Sequence, residues 1–383
     1  MTTQWFEADL EEQRQLDRLR IPRTLHYRDT THATLDGRAL TVFCSNDYLG
    51  LRADPRLRLA ADRAMQEDGV GSGASRLVSG DLPTFVSAEQ EFASWLGVEA
   101  SLLLTSGFAA NVGVVPTLAG ADDLLFSDAL NHASLVDGCR LSKARTVVFE
   151  HASVRALERA IASARPFRRG WVLTESVFSM DGDVAPIAEL RALCDREGLG
   201  LYVDEAHGIG VFDDSGRGVC AAVGVRADVL IGTAGKSLGC AGAFVAGARP
   251  LRSWLWNRCR SFVFSTGASV ANAASVREGI RILRSEPQHV SALRSNTLRL
   301  REALRSRGIE VLGDPRSPIV PIVLGDERRA VRASEVLLEE GFFVSAIRPP
   351  TVPRGTSRLR VTVSAKHTGD EIDALAAALE RVR

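Results

Sequence analysis

The chain has 383 residues, 45% hydrophobic and 25% charged, a balance that supports a large buried core and excludes a dominantly disordered protein. Its 47 basic and 47 acidic residues cancel, so no global field draws it to a nucleic acid or an anionic membrane. No run of 18 apolar residues occurs, and Glu7, Asp9, Glu11 and Glu12 stand where a secretory signal would need an apolar stretch.

Residues 6–20 space Phe6, Leu10, Leu16 and Leu19 at helical intervals, which predicts an amphipathic N-terminal helix. Ala39 to Phe43 reads as a short strand, and the following Cys44-Ser-Asn-Asp-Tyr-Leu-Gly50 has turn composition. Four glycines in the twelve residues 69–80 exclude a continuous helix, leaving either a linker or a loop pressed against a ligand. A helix is predicted over 84–96, ending at Gly97, followed by a buried strand at 100–105 and a second helix after Ser106-Gly-Phe.

Strand-like segments then recur at 124–126, 145–149, 171–174, 200–203, 228–231 and 242–246, with helical stretches such as 187–196 between several of them. Such alternation predicts a mainly parallel sheet covered by helices, with the chemistry at the C-terminal ends of the strands. Residues 268–310 read as helical, and strands near 319–324, 342–346 and 358–363 precede a closing helix from 370 to about 381. The expected organisation is an N-terminal helical segment (1–38), a large α/β domain (39–280) and a smaller C-terminal α+β domain (281–383). No repeat of 20–50 residues is evident.

The six cysteines, at 44, 139, 194, 220, 240 and 259, form no CxxC pair and no zinc-like cluster. Reduced thiols in a cytoplasmic enzyme are the expectation, with no metal.

Lysine is rare, at 143, 236 and 366 only. Lys236 lies in Gly235-Lys-Ser237, 32 residues after Asp204 in Val203-Asp-Glu-Ala-His-Gly208. A nucleotide-hydrolysing loop is excluded by spacing, since GxxxxGK[ST] needs glycine at position 230, where the chain has Leu230. Pyridoxal phosphate chemistry uses the same residues better. A lysine amine condenses with the cofactor aldehyde, a carboxylate keeps the pyridine nitrogen protonated, and the lysine serves afterwards as a general base at a substrate Cα.

Asp204 is the candidate for the ring nitrogen and His207 for the phenolic oxygen or for holding the Asp204 network. His132 is a flat polar group suited to stacking on the ring. Ser106, Gly107 and Phe108, at a strand-to-helix junction, supply backbone N–H groups for the phosphate. Glu175 and Ser179 are candidates to face the cleft, whereas Asp181 and Asp183 read as turn formers. Arg358 and Arg360 share a strand face; one could clamp a substrate carboxylate, and solvent exposure is the expectation for Arg358.

Taken together, Asn46-Asp-Tyr-Leu-Gly50, Gly71-Ser-Gly73, Ser106-Gly-Phe108, Asn131-His-Ala-Ser134, the 174–183 stretch, Val203-Asp-Glu-Ala-His-Gly208 and Gly232-Thr-x-Gly-Lys236 resemble the pyridoxal phosphate-dependent α-oxoamine synthases. The match extends from about residue 40 to 365. The resemblance implies a fold type I homodimer with active sites at the subunit interface. It assigns Lys236 to the cofactor aldehyde, Asp204 to the ring nitrogen, His132 to the ring face, and Gly107 and Phe108 to the phosphate. Ser179, His207 and Thr233 complete the cofactor contacts, and Ser265 and Thr266 reach the neighbouring subunit's cofactor phosphate. Arg360, with Asn46 nearby, is assigned to the amino acid carboxylate.

Arg18, Arg20 and Arg23 match the family's acyl-substrate region only loosely. Arg348 and Thr351 lie in Ala346-Ile-Arg-Pro-Pro-Thr-Val-Pro353, which with Gly355–Arg360 resembles the member that joins L-alanine to pimeloyl-CoA or pimeloyl-acyl carrier protein. Other members take glycine with acetyl-CoA or succinyl-CoA, or serine with a long acyl thioester.

Overall fold

A computed structural model describes residues 2–383. The chain divides into two compact units: residues 49–179 with 184–291, and residues 1–48 with 180–183 and 292–383. These cuts differ from the expected ones at 38 and 280. The strand Arg38–Val42 pairs in parallel with Phe342–Phe343, which ties the N-terminal segment to the C-terminal one by main-chain bonds.

The larger unit is built on a seven-stranded sheet. From one edge its strands are Ala100–Leu104, Ala243–Gly247, Val229–Thr233, Gly200–Asp204, Gly170–Glu175, Leu124–Asp128 and Arg145–Phe149. All are parallel except Ala243–Gly247, which runs against both neighbours. The short loop 234–242 joins two adjacent antiparallel strands, and it carries Lys236.

Buried strands such as Leu102-Leu-Leu104 and Val229-Leu-Ile231 are apolar throughout because helices cover both faces of a sheet of this kind. Leu102, Leu104, Val229 and Ile231 join Val114, Leu135, Tyr202, Val245 and Phe262 in one buried cluster. The outer strand Arg145–Phe149 is largely exposed, as its charged start requires.

In the glycine-rich stretch 69–80, Arg76 is 3% exposed and pairs with Asp81 and Glu89. Its guanidinium also lies 5.2–5.5 Å from the ring centroids of Phe85, Trp256 and Phe262. Gly71 bridges to Ser269, and the Ser75 hydroxyl donates to the Val263 carbonyl at 2.7 Å. The stretch is therefore a pinned loop, not a linker.

The smaller unit holds two sheets. One runs His26–Tyr27, His32–Leu35, Arg38–Val42, Phe342–Phe343, with a hairpin turned at Asp36-Gly37, both at positive φ. The other runs Ile319–Gly325, Ser357–Thr362, Ser345–Ile347. The single strand expected at 342–346 is thus two short ones serving different sheets. The helices Gln288–Ser306, Glu327–Glu339 and Gly369–Val382 contribute Leu300, Leu337 and Leu375 to a core shared with Phe43, Val320 and Leu359. Among the described residues, no helix is long and apolar enough to cross a membrane.

Candidate active site

The C-terminal ends of the central strands deliver the polar residues. Gly170–Glu175 and Gly200–Asp204 are in register, so Glu175 and Asp204 stand side by side at the strand ends. Asp204 is 5% exposed; its Oδ1 accepts the Ala206 N–H at 2.9 Å and its Oδ2 accepts the Asn111 amide at 2.7 Å. Glu175 is buried and its Oε1 accepts the backbone N–H of His132 at 2.5 Å. Burial first, and then the neighbouring Asp204 charge, push the Glu175 carboxyl well above the usual carboxylate range, against the pull of Lys236. Protonation of Glu175 is thereby favoured, because a second buried charge beside Asp204 is costly.

After Asp204 the chain turns sharply, with the Gly208 and Ile209 amides returning to the Glu205 carbonyl at 2.9 Å. The Glu205 carboxyl is buried and accepts from the Ser176 hydroxyl at 2.6 Å and the Val219 and Cys220 amides at 3.1 and 2.6 Å. Gly208 packs on it so closely that a Cβ there would lie 1.8 Å from a Glu205 oxygen. His207, in the same turn, is 5% exposed.

His132 caps the helix Ala133–Leu141, its Nδ1 accepting the Ser134 N–H at 3.2 Å, while the rest of the ring stays open. Burial of the inner edge, followed by Asp204 and Lys236 acting in opposite directions, leaves the imidazole pKa below its ordinary value.

Ser106 is the N-cap of the helix Gly107–Leu118, its hydroxyl accepting the Ala109 N–H at 3.1 Å. That leaves the Gly107 and Phe108 end of the helix with its first N–H groups unsatisfied within the helix, the ordinary requirement for holding an anion. Thr233 ends its strand with the hydroxyl accepting the Gly235 N–H at 3.2 Å. A Cβ built on Gly107 or Gly235 would meet nothing nearer than the Thr233 hydroxyl, at 3.9 and 3.6 Å, so both glycines border open space. Lys236, half-buried, follows directly.

These residues fit pyridoxal phosphate: a glycine-lined cradle with a helix N-terminus and a hydroxyl for the phosphate, a buried carboxylate held by neutral donors for the ring nitrogen, and a lysine one residue beyond the cradle. Ser179 follows Glu175 by four residues and is half-buried. Ser265 and Thr266 lie in the segment bridged to the glycine-rich loop, Thr266 exposed. Among the described residues, no group of three His, Cys, Asp or Glu is arranged to hold a metal ion.

In the smaller unit, Arg360 is 7% exposed and donates to Asn46 Oδ1 at 3.3 Å and to the Tyr48 hydroxyl at 3.5 Å. Arg358 is not exposed as expected. It is 5% exposed and pairs with Asp181, its Nε donating to the Thr356 carbonyl at 2.9 Å, because the strand is covered on both faces. Asp181 is thus an ion-pair partner as well as a turn residue. Arg20 donates to Thr351 Oγ1 at 3.1 Å and Arg348 to the Asp17 carbonyl at 2.8 Å. Arg23 lies 6.0 Å from the Phe343 ring. Arg20, Arg23 and Arg348 line one cavity of about 380 Å³. Burial, then Arg20 among the nearby charges, holds the Arg348 guanidinium below its ordinary pKa.

Sequence reasoning missed Asn111, Glu205 and Arg76. The signal for Asn111 was available: a lone amide inside the apolar helix Gly-Phe-Ala-Ala-Asn-Val-Gly-Val-Val must find a partner.

The family model for class I and II aminotransferases matches residues 38–379. The 8-amino-7-oxononanoate synthase of Anaeromyxobacter sp. (strain Fw109-5) is 51% identical over 348 residues, 90% of this chain and 87% of that one. The Sphingomonas wittichii serine palmitoyltransferase superposes with a TM-score of 0.94 at 31% identity, covering 98% of this chain and 96% of that one. An 8-amino-7-oxononanoate synthase from Francisella tularensis gives a TM-score of 0.77 at 25% identity, over 89% and 97%. On this evidence the chain belongs to the class I and II aminotransferase family and, within it, to the pyridoxal phosphate-dependent 8-amino-7-oxononanoate synthases.

Proposed function

We propose that the protein condenses L-alanine with pimeloyl-CoA or pimeloyl-acyl carrier protein, releasing the thiol and carbon dioxide and forming 8-amino-7-oxononanoate for biotin synthesis. The observation that carries this reading is the strand-end group of Asp204, Thr233 and Lys236 beside the Gly107 helix terminus, in a chain about half identical to relatives bearing that name. Bound pyridoxal phosphate supplies an electron sink for the alanine Cα.

The protein's residues do the rest. Lys236 holds the cofactor and then moves the proton at the alanine Cα. Asp204, fixed by Asn111 and Ala206, keeps a proton on the ring nitrogen. Gly107, Phe108, Ser106 and Thr233 bind the phosphate, His132 stacks on the ring, and Ser179, His207 and Glu175 complete the wall. Arg360, already oriented by Asn46 and Tyr48, holds the amino acid carboxylate, and a bidentate guanidinium suits that task. Arg20, Arg23, Arg348 and Thr351 serve the acyl substrate.

The protein acts as a cytoplasmic homodimer. Val70, Leu77, Val78 and Phe264, the last 74% exposed, crowd one surface where the glycine-rich loop meets the 263–269 segment, and a second copy covers it. Ser265 and Thr266 then reach the neighbouring subunit's cofactor phosphate. None of the six cysteines is disulfide-bonded, in keeping with a reducing compartment.

Thiol release is expected to be much faster with L-alanine and pimeloyl-CoA than with glycine and acetyl-CoA. The reverse order overturns the substrate assignment. Lys236→Ala is expected to lose the visible absorbance of the lysine-bound cofactor, and unchanged absorbance and turnover overturn the catalytic one.

A further inference from the structure

The residues behind His132 form one directed chain of hydrogen bonds. Tyr202 is fully buried, and its hydroxyl lies 2.7 Å from Asn111 Oδ1. Burial, with Asp204 the next cause, keeps the phenol protonated far beyond neutral pH, so it is the donor. The opposite side of the Asn111 amide faces Asp204 Oδ2 at 2.7 Å, and an ionised carboxylate only accepts. Both neighbours therefore fix the same amide orientation, Oδ1 to Tyr202 and Nδ2 to Asp204. The second Nδ2 hydrogen goes to Ser134 Oγ at 2.8 Å.

Ser134 Oγ, accepting from Asn111, lies 2.7 Å from His132 Nδ1 with its own hydrogen free to donate there. The Ser134 backbone N–H points at the same nitrogen at 3.2 Å. Two donors converge on Nδ1, which must carry a lone pair; the ring hydrogen is then on Nε2.

We propose that Asn111 is a positioning residue that fixes the Asp204 carboxylate and, through Ser134, holds His132 as the Nε2–H tautomer, so that His132 faces the substrate as a hydrogen-bond donor and not as a base. This rests on the proposed placement of His132 over the cofactor. It leaves Lys236 as the group that takes the Cα proton, and gives His132 the complementary task of donating to an oxygen of the acyl group or of the β-keto acid. One amide thereby sets two groups that must act on the same reaction, with Asn111 itself 1% exposed and out of reach of solvent. The lowered imidazole pKa agrees with a neutral ring.

The test uses the full chain labelled with ¹⁵N histidine, with and without cofactor, and two-bond ¹H–¹⁵N correlation at neutral pH. His132 is assigned by its loss in His132→Gln. The expected signal is a protonated Nε2 with a bare Nδ1; a protonated Nδ1, as the other tautomer or as imidazolium, overturns the proposal. Ser134→Ala removes the hydroxyl donor to His132 and leaves only the backbone N–H of that residue on Nδ1. It is expected to mix the tautomers while leaving the pH titration of the cofactor's visible absorbance at the wild-type position. Asn111→Ala removes both branches and is expected to mix the tautomers and also move that titration, with kcat falling at least tenfold and KM for the amino acid changing less than threefold. If Asn111→Ala moves neither signal, Asn111 only fills space and the proposal fails. The tautomer measured without cofactor is independent of the substrate assignment, so a wrong substrate and a wrong tautomer give different results.

Discussion

Glu205 is the buried carboxyl on which the turn after Asp204 is wound, and Glu205→Ala removes the acceptor for three donors at once. A buried donor stripped of its partner costs about 1–3 kcal/mol, so three give about 3–9 kcal/mol as an upper range. Two effects reduce it. The Ser176 hydroxyl can rotate, and burial already raises the Glu205 pKa, so removing the acid relieves an unfavourable desolvation. The expected loss is therefore about 3–5 kcal/mol, or about 6–20 °C in melting temperature for a unit of this size. Glu205→Gln keeps the volume and one acceptor oxygen, and about 1–2 kcal/mol is expected.

The assay is denaturant unfolding of the cofactor-loaded and cofactor-free chain, with cofactor retention after gel filtration read in parallel. Because His207 and the Ala206 N–H that holds Asp204 ride on the turn, Glu205→Ala is expected to lose cofactor faster than wild type. A loss below about 1 kcal/mol, or equal losses for Ala and Gln, would refute the argument that three stranded donors set the cost.

Two other outcomes follow from the packing. His32 lies between Asp29 at 2.9 Å and Glu371 at 2.5 Å; burial disfavours its imidazolium, but the two carboxylates outweigh that and raise its pKa. The stabilisation is fully present below the unfolded histidine value of about 6.5 and is lost as pH rises through the higher folded value. His32→Gln should then destabilise the chain more at pH 5.5–6 than at pH 9 in urea unfolding, and a pH-independent difference would count against the clamp. At Gly80 an added Cβ would lie 2.2 Å from the Ala74 carbonyl oxygen, a backbone atom that cannot swing away. Gly80→Ala should cost about 1–3 kcal/mol and displace the 69–80 loop, measured by thermal unfolding, and an unchanged midpoint would contradict that geometry.

The strands of the large sheet were legible because each is a short apolar run bounded by turn residues, and every one of the expected segments there is a strand. The strands His26–Tyr27 and His32–Leu35 were not, since strands of two to four residues carry no periodicity and exist only through their pairing. The site divides along the same line. Lys236 and Asp204 announce themselves through local motifs. Asn111 is recognisable only once Asp204, 93 residues away, is beside it. Arg358 was misjudged because Asp181, the acid that holds it, lies 177 residues away.

The pinning of Arg76 also governs timing. A twelve-residue stretch with four glycines would sample many backbone states in isolation, and any molecule docking on it would have to wait for the right one. With Arg76 locked to Asp81 and Glu89 under three aromatic rings, that search ends during folding. The surface formed with the 263–269 segment is therefore ready-made, and encounters there are governed by collision and orientation, with no loop closure left to slow them.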